Sequence, residues 1–345
     1  MTQRPEGGRP FSGRRTNLAL LLLLGGALVT GLTAQALGTP SLAWVAVVHG
    51  VIGLAILIVA PWKSLVVRKG LARRNRGRFF SLLFALLTAT VLVTGVLHSV
   101  GWPADIGSLT VLWVHVATAL VLVPLAIWHV LARKTLPRRQ DLTRRNLIRT
   151  GGLVSVAVVA WFAADRAIAL ARLPGADRRF TGSHERSSLD PAGLPVTSWL
   201  DDRTPELDGV SWRMAIEDAA GGRSLGLGDL AVLPIDDVTA VLDCTSGWYS
   251  NQEWRGVRLD RLVEPGTARS VVAWSATGYA RRFPVSDLDS MWLVTEVGGE
   301  PLSPGHGFPA RIVAPARRGF WWVKWVVQLE TSDLPWWIQS PYPLT

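Results

Sequence analysis

The chain has a single cysteine, Cys244, in 345 residues. That excludes an internal disulfide, and a lone thiol ordinarily behaves as a small buried hydrophobe. Acidic side chains are nearly missing from the first half: of 26 Asp and Glu, 22 lie from Leu173 onward, where they outnumber 16 Lys plus Arg. The formal net charge of +10 therefore arises before Leu173 and is no nucleic-acid footprint, and no nucleic-acid partner is expected. No internal repeat is visible.

What the first half has instead is long apolar runs. They cover about Leu18 to Ala36, Leu42 to Ala60, Phe79 to Leu97, Ile106 to Leu131 and, shorter, Gly152 to Ala164. A bilayer core requires roughly 17 to 25 such residues. The basic residues alternate between connections. Arg4, Arg9, Arg14 and Arg15 precede the first run, Lys63 to Arg78 fills the second connection with seven, and Arg133 to Arg149 fills the fourth with seven. The first and third connections have none. Because basic residues collect on the cytoplasmic side, the N-terminus is expected inside and the chain from about Leu173 outside, in a multi-pass protein of the cell membrane with the bilayer as a partner.

The segment LTRRNLIRTGGLVSVAVVAWFAA, with Arg144 and Arg145, resembles an internally placed twin-arginine export signal. A domain that acquires a bulky cofactor in the cytoplasm would have to cross already folded. An uncleaved signal would remain as an anchor.

Four of the six histidines, His49, His98, His115 and His129, fall in or beside the runs. Ionisable residues there are functional candidates by default. His115 and His129, 14 residues apart, share nearly one helix face at levels separated by about 21 Å. Neutral imidazole ligates haem iron, and residues 40 to 135 resemble the four-helix membrane cytochromes b that exchange electrons with quinol. The resemblance implies one or two b-type haems and quinone or quinol as electron partner. By depth, His115 pairs with His49 or His98, whereas His129 lies near the inner face.

Residues 173–195 read as a linker rich in Pro, Gly, Ser and charge, between a helical region 1–172 and a domain 196–345. In the last region VTAVLDC, SVVAWSA, MWLVTEV, ARIVAP and WWVKWVVQLE alternate with Gly and Pro turns. The fold class expected is an N-terminal all-α membrane bundle of about five helices, followed by an α+β domain of mixed, mainly antiparallel sheet.

Around Cys244 come Trp248 and then Trp254, Gly256 and Val257; later come Gly307, Pro309, Arg311 and Pro315, then Val323, Lys324 and Trp325. These three ordered blocks resemble the molybdopterin-binding domain of the sulfite oxidase family over most of residues 180 to 340. The resemblance implies a molybdenum-molybdopterin cofactor with Cys244 as the metal's protein ligand, a soft thiolate suited to that role. Trp248 would wall the site, while Arg311 and Lys324, with Arg281, Arg282, Arg317 or Arg318, would supply positive charge. His184 would contact the cofactor from the N-terminal segment.

The domain resembles the compact bacterial branch that includes protein-methionine-sulfoxide reductases. The expected activity is oxo transfer by a membrane-anchored oxidoreductase, with an S-oxide, an N-oxide or an oxidised protein as the substrate to be reduced. Sulfite-type oxidation is the alternative, and a cofactor-free receptor or scaffold is the reading from another class.

Overall fold

The structure is a computed structural model that describes residues 13–71, 78–133, 143–198 and 202–342. The basic residues Arg4, Arg9, Arg73, Arg74, Arg76, Lys134, Arg138 and Arg139 lie outside the described residues. The chain divides into two compact units between Arg178 and Arg179, except that the short segment Gln35–Pro40 groups with the second.

The helical unit contains α1 (Gly13–Ala36), α2 (Ala43–Leu71), α3 (Arg78–Val100), α4 (Val111–Arg133) and α5 (Arg144–Leu170). All five are long and apolar enough to cross a membrane. Their outward side chains include Leu22, Leu86, Val121, Val159 and Phe162, all exposed. Two expectations shift. The fourth helix begins at Val111, because Asp105–Ile106 (β1) and Leu109–Thr110 (β2) form a small hairpin ahead of it. The fifth is no short segment but a 27-residue helix starting at Arg144. Its entry is capped by Thr143, whose Oγ1 accepts from the Asn146 amide. Near its end Asp165 pairs with Arg178 at 2.5 Å.

In the second unit two sheets surround the core. One contains β3 (His184–Glu185), β6 (Asp236–Asp243), β7 (Trp248–Arg258), β10 (Trp292–Val297), β11 (Glu300–Pro301) and β12 (Arg311–Val313). The other runs in the order β5 (Gly221–Leu225), β4 (Met214–Asp218), β13 (Val326–Ser332), β8 (Ser270–Ser275), β9 (Ala280–Pro284). Pairing is antiparallel except for β3 with β7 and β4 with β13. The one α-helix among the described residues here is the short α6 (Leu227–Ala231).

The long strand β7 has the period-two burial of a half-buried strand, with Trp248, Ser250, Gln252 and Trp254 turned inward. Gly256 has a specific cause. A Cβ there would stand 2.1 Å from the Leu293 carbonyl oxygen of β10, so only glycine lets β7 and β10 approach. The core joins Met214, Ile216, Trp254, Leu293, Val294, Ile312, Val326 and Leu329, all buried; each such side chain contributes about 1.5–3 kcal/mol by leaving water.

Two further differences bear on the site. Within the stretch that reads as a linker, His184–Glu185 pairs in parallel with Trp248–Tyr249, because the first residues of the second unit complete the β7 edge. The strand expected over 321–330 begins only at Val326. Trp325 has φ of 52°, and the chain turns there while the indole donates to the Pro304 carbonyl at 2.7 Å.

Candidate active site

Cys244 directly follows β6, at the start of the tight turn into β7. Its amide donates to the Trp248 carbonyl at 2.8 Å, and its carbonyl accepts from the Gly247 amide at 3.1 Å. The side chain is 8% exposed, with Sγ 3.0 Å from the Ser246 hydroxyl. Trp248 is buried beside it and donates from its indole to Thr197 at 3.3 Å. His184 stands opposite Trp248 in the strand register, and its amide donates to the Gly247 carbonyl at 2.9 Å.

The preceding residue, Asp243, anchors this turn. Its carboxylate accepts from Arg318 Nη1 at 2.5 Å, Ser183 Oγ at 2.7 Å, Thr181 Oγ1 at 2.8 Å and Arg179 Nε at 3.2 Å. Arg318 also donates from Nη2 to the Cys244 carbonyl at 3.0 Å. One buried ion pair therefore fixes the backbone that presents the thiol. Sequence reasoning missed Asp243 as the hub; its position next to the lone cysteine was the available signal.

Two other buried basic groups flank the site with no ion pair to a carboxylate among the described residues, although the Asp202 charge acts on Lys324. Arg311 is 1% exposed, donates from Nη1 to the His306 carbonyl at 3.0 Å, and lies 5.1 Å and 5.6 Å from the ring centroids of Trp254 and Trp322. Lys324 Nζ donates to the carbonyls of Thr197 at 2.9 Å and Gly305 at 2.6 Å. Burial draws Arg311 down to about 9 and Lys324 to about 7, with Cys244 opposing both. Gly307, at φ 109°, lets this corner close: a Cβ would sit 3.0 Å from Arg311 Cβ and 3.2 Å from Lys324 Cβ.

His306, also missed from sequence, is buried among these groups, with Nδ1 2.8 Å from Ser303 Oγ and Nε2 2.9 Å from the Leu194 carbonyl. Burial lowers its proton affinity. Tyr279, likewise missed, donates its hydroxyl to the Phe320 carbonyl, and burial pushes its phenol above the ordinary range.

Of the arginines expected to supply charge, Arg318 shares the Asp243 carboxylate with Arg179, and Arg317 pairs with Asp287.

Residues 202–337 match the model of the oxidoreductase molybdopterin binding domain family. This part of the chain is a molybdopterin-binding oxidoreductase domain. Over 173 residues the chain is 30% identical to the mitochondrial sulfite oxidase of Homo sapiens, covering 38% of this chain and 32% of the relative. Against the uncharacterized oxidoreductase YuiH of Bacillus subtilis it is 27% identical over 128 residues, 34% of this chain and 65% of the relative. A solved structure, the sulfane dehydrogenase SoxCD from Paracoccus pantotrophus, aligns at 28% identity over 38% of this chain and 40% of that one, with a TM-score of 0.36. The chain spans about a third of the length of the mitochondrial relatives it matches.

The side chains present fit such a cofactor. The buried Cys244 thiol is a soft donor suited to such a metal. Arg311 and Lys324 are buried basic groups with no ion pair to a carboxylate among the described residues, and an anionic cofactor would stabilise their charged forms.

In the helical unit the structure brings His49 and His115 together, with ring centroids 6.1 Å apart and planes at 87°. His49 Nδ1 is 3.1 Å from the Ala27 carbonyl and His115 Nδ1 is 2.9 Å from the Val91 carbonyl. Each Nδ1–H donating there leaves Nε2 as the acceptor nitrogen. Gly31 and Gly95 face the two rings, where a Cβ would lie 3.0 Å and 3.2 Å from the respective Cε1 atoms. His129 stacks on Phe84 at 5.0 Å, and His98 lies in the last turn of α3.

Proposed function

We propose that the chain is a membrane-anchored, extracytoplasmic molybdenum oxidoreductase performing oxo transfer. The observation that carries this reading is the buried Cys244 thiol, whose charge acts on the buried Arg311 and Lys324, neither of which forms an ion pair with a carboxylate among the described residues. When bound, the molybdenum-molybdopterin cofactor supplies two-electron oxo-transfer chemistry. The chain's residues would hold it. Cys244 offers the soft ligand, Arg311 and Lys324 neutralise its negative charge, Trp248 excludes water from one side, and His184 steadies the turn. Asp243 and Arg318 hold the backbone of Cys244 in place.

The favoured reaction is reduction of an S-oxide or N-oxide, free or in an oxidised protein. Such a reduction consumes two electrons and two protons and releases water. A quinol would supply both, through the helical unit. There His49 and His115, whose ring centroids lie 6.1 Å apart, would hold one b-type haem as neutral imidazoles, leaving His98 and His129 without that role. The relatives give a second reading, since several are sulfite oxidases; oxidation of a small sulfur anion would run the electrons the other way.

Molybdenum analysis of the purified full chain, with a reduced-minus-oxidised optical spectrum, tests both cofactors. Stoichiometric molybdenum with one b-type signal is expected. A metal-free, spectrally silent chain would favour the receptor or scaffold reading.

A further inference from the structure

Once Arg318 and Arg317 are matched with Asp243 and Asp287, and Arg311 is assigned to the Cys244 site, one deeply buried arginine of the sheet unit remains unexplained. Arg281, on β9, is 2% exposed and has no carboxylate partner among the described residues. Nη1 donates to the Ser340 carbonyl at 3.1 Å. Nε and Nη2 are buried with no hydrogen-bond partner at all.

Those two N–H groups lie parallel along one edge of the guanidinium, the fork that grips two oxygens of a phosphate, sulfate or carboxylate. The group is a cation at neutral pH, since burial lowers it only to about 10. Its guanidinium carbon is 4.0 Å from the Trp321 ring centroid and 5.2 Å from that of Phe320. Such stacking offsets only part of the cost of burying an ion without a counter-charge. Arg317, itself paired with Asp287, stacks on the same Trp321 ring at 4.7 Å and brings no carboxylate to Arg281.

The cover over this group is a strap with neither helix nor strand. Gln339 accepts from the Arg282 amide at 3.0 Å and donates to the Arg282 carbonyl at 2.8 Å. Trp336 lies against Trp321 with centroids 6.1 Å apart, and Tyr342 against Phe320 at 5.8 Å. The strap meets Arg281 itself at Nη1, through the Ser340 carbonyl.

We propose that Arg281 is the recognition group of an oxyanion site closed by the strap 336–342. The ligand is a tetrahedral oxyanion, supplied either by the phosphate of the pterin cofactor or by a free sulfur oxyanion. The proposal deepens the molybdenum reading and rests on it only for naming these two sources.

The test uses the full chain, purified with and without its cofactor, and inorganic phosphate as the probe. Melting temperature is followed in phosphate and in chloride at matched ionic strength, with molybdenum assayed separately so that failure of the cofactor reading is seen on its own. In the cofactor-free chain phosphate should raise the melting temperature above the chloride value. R281M should weaken the phosphate midpoint at least about tenfold, as expected for one lost bidentate contact. R281K, which keeps the charge without the fork, should fall between and serves if R281M does not fold. If loading abolishes the phosphate increment, the site holds the cofactor's phosphate. If the increment persists, the site takes a free oxyanion and the sulfite-type reading gains. No increment in the cofactor-free wild type, or one equally strong in both variants, would overturn the proposal.

Discussion

Both units bury ionisable groups, but they satisfy them in different ways. In the helical unit His49 and His115 each use Nδ1 on a main-chain carbonyl of a neighbouring helix, and the other nitrogen is left as an acceptor. In the sheet unit the cations divide into two kinds. Arg318 is matched by Asp243 and holds backbone in place, whereas Arg311 and Lys324 donate to carbonyls and lie against indole rings. A carbonyl orients a cation without cancelling its charge. The difference separates a cation that holds the turn from the two proposed to meet an anionic cofactor, and both from the imidazoles proposed to hold a haem.

The sharpest way to break this comparison is at the thiol. Cys244→Ser should leave an exported, folded domain with no measurable turnover, because a hard alkoxide replaces a soft thiolate poorly. Full activity with any oxo-transfer substrate would remove Cys244 from the chemistry.

Next in size is the helical unit alone. His115→Ala should lose the b-type absorbance and quinol-driven turnover, while an artificial donor that reaches the molybdenum directly still drives the reaction. His129→Ala should change neither, since that ring is stacked on Phe84. Equal quinol-driven rates in wild type and His115→Ala would make the helices an anchor only.

The matched pair predicts a loss of stability. Asp243→Asn leaves Arg318 buried without its counter-ion, and breaking a buried pair costs about 3–5 kcal/mol. Denaturant unfolding should show a loss of that order. A change below about 1 kcal/mol, the level of an exposed pair, would show that the network is not holding the turn.

The smallest effect concerns the unmatched cation. Lys324 is lowered from 10.5 to about 7 by burial. Between those values the unfolded chain binds the proton that the folded chain has lost, so stability of the cofactor-free chain should rise with pH from about 7 to 10.5. Lys324→Met should flatten that slope. An unchanged slope would place the ammonium in contact with solvent.

Much of this was legible in the sequence for physical reasons. Long apolar runs leave a helix few alternatives, so the five long apolar helices could be read directly, although the Asp105 hairpin and the full reach of α5 could not. The lone thiol and the Trp254–Gly256 step stood out because a soft ligand and a strand-to-strand close approach each tolerate few residue types. Pairings across the chain were not legible. Asp243 and Arg318 lie 75 residues apart, and nothing local says which arginine meets a carboxylate. The partner of His115 could be narrowed by depth to His49 or His98, but helix packing chose His49. The strap over Arg281 also escaped, since LPWWIQSPYP has no strand or helix period and takes its place from contacts with Phe320, Trp321 and Arg282.

The central claim is that the only thiol in the chain ligates molybdenum, and X-ray absorption at the molybdenum edge of the purified full chain tests it most directly. A pterin dithiolene contributes a pair of sulfurs and a cysteine adds another. The account therefore predicts a sulfur shell that is larger by one in the wild type than in Cys244→Ser at equal pterin content. Identical sulfur shells in the two proteins would contradict it.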